Sequence, residues 1–240
     1  MNVFITGAAR RIGAALARAF HARGDRVVVH YLHSQAEATA LVAELNAERP
    51  HSALALCGVS VADDAQLVAA ALAFFGDARI DVLINNGSQF FETPLQSLTR
   101  AQFDALMAAN CAGALFLTQA ALPALQQSSN ACVINIVDVN THNANFVAYA
   151  ASKAALLSVT RSLAAELAPR VRVNAISPGV MLWPEHVPHY DRDAALANVP
   201  LRRVGTPQPV VDAALYLARA TFVTGQNLAC DGGASLKLLM

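Results

Sequence analysis

Short apolar runs recur along the chain at regular intervals, each followed by a longer stretch whose apolar positions repeat at helical spacing. Val3-Phe4-Ile5 centres a strand predicted over 2–6, which feeds a helix over 11–22. Val27 to Tyr31 is a second strand, followed by a helix over 36–45; Ala53 to Cys57 is a third, followed by a helix over about 63–74. A fourth strand over 81–85 runs into a polar and aromatic loop, and two helices are predicted after it, over about 99–109 and 114–126. Strand 132–137, helix 149–167, strand 171–176 and a short last strand over 227–230 complete the order. Such regular alternation predicts a single-domain α/β fold with a doubly wound parallel sheet. One segment departs from it. Over 178–206, Pro178, Pro184, Pro188 and Pro200 interrupt continuous helix, while aromatic residues argue against a solvated linker. A substrate-covering insertion with one or two short helices is expected there.

Composition narrows the classes. With 240 residues, one substantial core is the expectation, and 17 basic against 17 acidic side chains give zero net charge. No general field gathers nucleic acid, so any anionic ligand must be held by local groups. Although 55% of residues are hydrophobic, charged residues interrupt the long segments, and no stretch is predicted to span a membrane. The first strand begins without the basic, apolar and small-residue regions of a secretory signal, which points to a cytoplasmic protein. Cys57, Cys111, Cys132 and Cys230 lack CxxC spacing and are expected to be reduced. His186 and His189 stand near Glu185 and Asp191, but a polar lid is the better reading and no metal site is predicted.

The candidate chemistry gathers at strand ends. Thr6-Gly7-Ala8-Ala9-Arg10-Arg11-Ile12-Gly13 lies at the first strand-to-helix junction, where small residues and helix amides can cradle a dinucleotide pyrophosphate. Arg11 occupies the place of the middle glycine of a common loop of this kind. After the second strand, where an NAD-specific site often carries a carboxylate, the chain has His30-Tyr31-Leu32-His33-Ser34-Gln35. His33 and Ser34 can donate to a 2′-phosphate, with Arg10 or Arg11 supplying charge, so NADPH is the expected cofactor. His30 is expected to be a structural strand residue. Asn85, Asn86 and Gly87 follow the fourth strand, where the asparagines can hold the adenine-side ribose or cap the turn.

Tyr149 and Lys153 are one helical turn apart, so an ammonium faces a phenol and can favour its phenolate. Tyr149 then becomes an acid–base group. Asp138, after the fifth strand, is brought to the same edge by a parallel sheet. Asn110 is expected to interrupt its helix before Gly113 and to hold a water or Lys153 from the side, or simply to end the helix. Ser177-Pro178-Gly179 is predicted as a turn beside nicotinamide. Ser88 and Phe90 are candidate substrate contacts, Phe90 as a stacking surface; Met181, Leu182 and Trp183 can close the opposite side.

Taken jointly, Thr6-Gly7 to Gly13, Asn85-Asn86-Gly87, Asn110, Tyr149-x-x-x-Lys153 and Ser177-Pro178-Gly179 resemble the short-chain dehydrogenase/reductase family over nearly the whole chain. That resemblance implies a Rossmann-type fold and a homotetramer, a dimer being the alternative. It also implies Tyr149 as proton donor, Lys153 on the nicotinamide ribose and Asn110 on a water-linked proton path. Arg10-Arg11-Ile12-Gly13, His30 to Ser34, Ser88-Gln89-Phe90 and Val137-Asp138 narrow the resemblance to the pteridine reductases, with Arg11 and Phe90 framing the pterin. Asp138 stands where carbonyl-reducing relatives normally have serine. The implied reaction is NADPH-dependent reduction of a dihydropteridine C=N bond, in dihydromonapterin or also dihydrofolate. The alternatives are a short-chain reductase acting on a carbonyl or quinone, and a non-catalytic dinucleotide-binding protein. Two departures from the family stand out: the loop between Asp138 and Tyr149 is shortened, and Gly58 replaces an acidic residue near adenine, leaving Val59-Ser60 to hold that ring differently.

Overall fold

In the computed structural model, which describes residues 1–58, 64–139, 144–183 and 192–236, seven strands form one parallel sheet. They are β1 (Asn2–Ile5), β2 (Arg26–Tyr31), β3 (Ala53–Cys57), β4 (Val82–Asn85), β5 (Ala131–Ile136), β6 (Val171–Pro178) and β7 (Asn227–Cys230). The spatial order β3-β2-β1-β4-β5-β6-β7 reverses direction between β1 and β4, so the loops leaving those two strands part and open a crevice at their carboxyl ends. Strands β1, β4 and β5 are buried throughout, as a parallel sheet covered on both faces requires.

Alternation along each strand divides the core into two layers. Val3, Ile5, Val27 and Val29 face α1 (Arg11–Ala22), α2 (Gln35–Glu48) and a helix over Gln208–Arg219. Phe4, Val28, Leu83 and Val133 face the opposite layer, with α3 (Asp64–Phe75) and the long helices after β4. Those helices begin at α4 (Arg100–Met107), which Thr99 and Gln102 close with a reciprocal capping box. They then pass through a π-helical turn, Ala108–Ala112, into α5 (Gly113–Leu125). The two separately predicted helices are therefore one rod. Over Arg100–Leu125 the rod is long and apolar enough by length and composition to cross a membrane, a property that dividing it into two helices concealed. Here it packs on α3 and on α6 (Val147–Glu166) as a layer of the fold.

Two further differences from the sequence expectations have local causes. After a short α7 (Arg192–Ala197) inside the irregular segment, α8 (Gln208–Arg219) is a helix that the sequence pattern left unassigned, hidden by Pro207 and Pro209. Proline is tolerated in a first helical turn, and Val210, Val211, Ala214, Leu217 and Ala218 then supply the buried stripe. Strand β6 extends two residues further than predicted, so Ser177 and Pro178 lie in the sheet beside β7 and only Gly179 begins the turn.

Arg172 on β6 ties α8 to the sheet. Nearly buried, its guanidinium donates to the carbonyls of Leu217 (2.6 Å) and Ala218 (3.1 Å) in the last turn of α8, and to Asn130 Oδ1 (3.1 Å). A cation there suits the negative end of the helix. Arg172→Met is expected to leave those acceptors dry and unpaired and to destabilise the fold by about 2–4 kcal/mol. Urea denaturation should show this as a lowered midpoint with an unchanged slope.

Candidate active site

The carboxyl edge of the sheet is assembled around the first loop. Gly7 turns with φ +58°, and a Cβ there would stand 2.7 Å from Gly87 Cα. The two loops are also stapled by hydrogen bonds. Thr6 Oγ1 accepts from the amides of Asn86 (3.0 Å) and Gly87 (2.9 Å), while Asn86 Nδ2 donates to the carbonyls of Thr6 and Gly7, each at 2.9 Å. Asn86 therefore spends its amide on joining the loops. Arg11 has φ +53°, so it retains the conformation of the glycine it replaces, a strain of roughly 1–2 kcal/mol. Its guanidinium reaches the insertion, donating to the carbonyls of Trp183 (3.1 Å) and Leu182 (3.3 Å).

No side chain caps the start of α1, and Ile12 and Gly13 pack its first turn close to the loop. A helix N-terminus without a side-chain cap, above a glycine turn, suits a pyrophosphate. At the end of β2, Ser34 precedes α2 without capping it and His33 is exposed. Arg10 reaches across from the first loop to within 3.8 Å of Glu37 in the first turn of α2. Ser34 and His33 offer donors to a second phosphate there, while the Arg10 guanidinium is shared with the Glu37 carboxylate.

Asn85 turns its side chain into the core instead of the crevice: Nδ2 donates to Asn135 Oδ1 (2.8 Å) and Thr118 Oγ1 (3.1 Å), and Oδ1 is a buried acceptor with no partner among the described residues. Strand alternation explains the difference: Asn85 is still inside β4, paired with Asn135, whereas Asn86 and Gly87 lie beyond the last rung.

Helix α6 carries the candidate proton-transfer pair. Tyr149 Oη donates to Asp138 Oδ2 at 2.8 Å, and Lys153 Nζ donates to the Ile136 carbonyl at 2.9 Å. The ammonium lies 5.9 Å from the Tyr149 ring centroid, and both side chains are buried. Burial lowers the Lys153 pKa to about 8, with the charge of Asp138 working against that shift. The same burial, reinforced by the charge and hydrogen bond of Asp138, raises Tyr149 well above its ordinary value. This corrects the expectation that the nearby cation favours phenolate. Burial and the hydrogen-bonded Asp138 carboxylate both favour the neutral phenol, so Tyr149 holds its proton.

Asn110 sits in the π turn with its side chain fully committed. Oδ1 accepts from the Gln89 amide (2.7 Å), and Nδ2 donates to the Gln89 carbonyl and to Ser152 Oγ, each at 3.0 Å. The expected side-chain grip on Lys153 is absent from this arrangement. Its effect falls on Phe90, the next residue, which stacks on Phe146 (4.7 Å, 8°) and meets Tyr149 edge-on (4.7 Å, 84°). Gln89, Phe146 and Ser152 join the site without having been singled out from sequence. Gln89 acts through its backbone, and Phe146 only through proximity in the fold; Ser152 alone carried a local signal, its place between Tyr149 and Lys153.

Other expected contacts are distributed around this centre. Ser88 is exposed on the loop after β4. Ser177 Oγ donates to Asn227 Oδ1 (2.7 Å) and contacts the Asp138 carbonyl (3.4 Å), while the Gly179 amide donates to Cys230. Trp183 faces the Arg192 guanidinium at 5.2 Å. A cavity of about 540 Å³ lies further along, between Val180, Met181, Pro200, Leu201 and Ala229, and the proton-transfer residues do not line it. Among the described residues no three His, Cys, Asp or Glu side chains converge as metal ligands; His186 and His189 lie outside them, as do Val59 and Ser60.

This geometry agrees with what related sequences are. Residues 7–235 match the family model described as enoyl-(acyl carrier protein) reductase. The chain is 34% identical to pteridine reductase 1 of Leishmania tarentolae, covering 97% of this chain and 95% of that one. It is also 34% identical to a 3-oxoacyl-[acyl-carrier-protein] reductase of Synechocystis (95% and 94%) and to D-threitol dehydrogenase of Mycolicibacterium smegmatis (97% and 92%). With a parallel seven-stranded sheet, a glycine turn at its switch point and these relatives, the chain belongs to the short-chain dehydrogenase/reductase family and is an NAD(P)-dependent oxidoreductase.

Proposed function

We propose that this protein is an NADPH-dependent reductase of dihydropteridines, acting on dihydromonapterin and also on dihydrofolate. One observation carries the reading: the carboxylate of Asp138 accepts the hydroxyl hydrogen of Tyr149. A carbonyl oxygen needs donors around it, and an acceptor-only carboxylate at that place opposes it. A pterin presents amino and ring N–H donors, which suit Asp138, and its flat ring suits Phe90. The 34% identity to a pteridine reductase is consistent with this substrate class. Equal identity to one 3-oxoacyl reductase makes a carbonyl or quinone the competing substrate class, and a non-catalytic nucleotide-binding role the remote one.

NADPH, when bound, supplies the hydride that forms the new C–H bond. Gly7, Ile12, Gly13 and Gly87 would shape its pyrophosphate site, Arg10, His33 and Ser34 its 2′-phosphate site, and Lys153, Ser177, Pro178 and Gly179 the nicotinamide side. Tyr149 and Asp138 hold a proton between them beside the substrate, from which the reduced ring nitrogen takes its N–H directly or through water. Arg11 and Trp183 close the opening over the ring, with Ser88 at its edge. Exposed Phe116, Tyr216 and Phe222 leave apolar surface that a homotetramer would cover.

A direct test compares NADPH oxidation with dihydromonapterin, dihydrobiopterin, dihydrofolate and representative carbonyls. Turnover of carbonyls alone would remove pterins as the substrate class. Tyr149→Phe is expected to fold and bind NADPH while losing at least ~10²-fold in kcat, because the ring stays and its proton goes.

The pH profile tests Asp138. Lys153 is charged below about 8, so kcat/KM should fall above that pH. Asp138→Asn removes the negative charge that favours the ammonium, and the alkaline limb should move to lower pH; an unmoved limb would separate Asp138 from Lys153. For the cofactor, Ser34→Asp is expected to weaken NADPH by at least ~10-fold more than NADH, because its carboxylate opposes a phosphate but suits a ribose diol. Dissociation constants at matched ionic strength give the ratio.

A further inference from the structure

His30 and Gly58 form a pair that the proton-transfer chemistry does not use. At the end of β2, His30 Nδ1 accepts a hydrogen bond from the Gly7 amide at 3.4 Å, so its hydrogen resides on Nε2. Burial lowers its pKa to about 4, and the ring is neutral around pH 7. Across from it, Gly58 follows β3, its amide bonded to the Tyr31 carbonyl. A Cβ on Gly58 would come 2.5 Å from His30 Nε2 and 2.7 Å from Leu67 Cδ1. The imidazole thus occupies the volume into which a side chain at 58 would project, and the two positions exchange space.

The location gives the pair its chemistry. His30 is partly exposed at the carboxyl edge, and Nε2 has no hydrogen-bond partner among the described residues. On one side is the Gly7 turn that fits a pyrophosphate; on another is the uncapped start of α2 at Ser34, which fits a ribose phosphate. A molecule whose phosphates occupy both places carries a sugar between them and a base beyond the sugar. Purine ring nitrogens offer lone pairs at their edges, and a neutral N–H matches them better than a carboxylate does.

We propose that His30, through Nε2–H, reads a ring nitrogen of the adenine base, and that residue 58 is glycine to admit the imidazole. This rests on the dinucleotide reading above. Because Nδ1 holds the Gly7 amide, His30 also couples base recognition to the shape of the pyrophosphate turn.

Calorimetric titration with two fragments separates the possibilities: adenosine 2′,5′-bisphosphate, and reduced nicotinamide mononucleotide, which has no adenine. His30→Phe, which keeps a ring without its N–H, should weaken the adenosine fragment about tenfold and leave the mononucleotide unchanged. Gly58→Ala should displace the imidazole, lowering both Tm and adenosine affinity. In His30→Ala/Gly58→Ala the space is restored without the donor. Tm should recover relative to Gly58→Ala while adenosine affinity stays low. Recovery of both would reduce the pair to packing and overturn the proposal, as would unchanged adenosine affinity in folded His30→Phe. Failure of the wild-type protein to bind either NADPH or the adenosine fragment would overturn the dinucleotide reading itself, and this one with it.

Discussion

A charged amine out of contact with water is the constraint around which the site is built. Lys153 is buried under the carboxyl edge of the sheet, and an ammonium in such a place is tolerated only with close polar company. The Ile136 carbonyl gives it a hydrogen bond, and Asp138 opposes the loss of its proton. Both come from the same short stretch at the end of β5, whose position is fixed by pairing with β4 and β6. The sheet therefore determines where the charge can rest. Helix α6 must then dock so that Lys153 reaches that point, and Tyr149, one turn earlier, is carried to Asp138 by the same docking.

Around this charge the loops are held mainly by side chains that bond backbone rather than ligand. Asn86 and Thr6 join the first and fourth loops; Asn110 grips both polar groups of Gln89 and touches Ser152 on α6. Such bonds fix a surface in place before anything binds, which lowers the entropy lost on association. Arg11 bonds the insertion at Leu182 and Trp183, so the first loop is also tied to the segment that closes the opening.

The alternation of apolar runs made the sheet, its parallel sense and most of its helices legible in the sequence, because a strand covered on both faces must be apolar along its length. Helix α8 escaped since its first turn holds a proline, a residue read more readily as a break. Tyr149, Lys153 and Asp138 were legible as a group: two share a helix face and the third follows a strand pointing to the same edge. Their electrostatics were not. Spacing brings an amine to a phenol, but only coordinates reveal the burial of that phenol and a carboxylate 2.8 Å from its hydroxyl, which together raise Tyr149. Asn85 was misjudged for a similar reason, since one residue of register separates the core from the crevice.

The π turn at Ala108–Ala112 is a slip in phase. An α-helix advances about a hundred degrees per residue, and a π turn fits one more residue into nearly the same rotation, so the flanking segments stay aligned while the sequence register slips by one. The apolar spacing of α4 therefore does not carry straight on into that of α5, although the rod is one element. Asn110 stands at the seam, where a regular helix would have aimed its amide elsewhere. The length of this rod is thus not a free parameter. Deleting a single residue from the turn would heal the helix with α4 and α5 nearly in place, re-aim the Asn110 amide, and force the aromatic loop to seek another anchor.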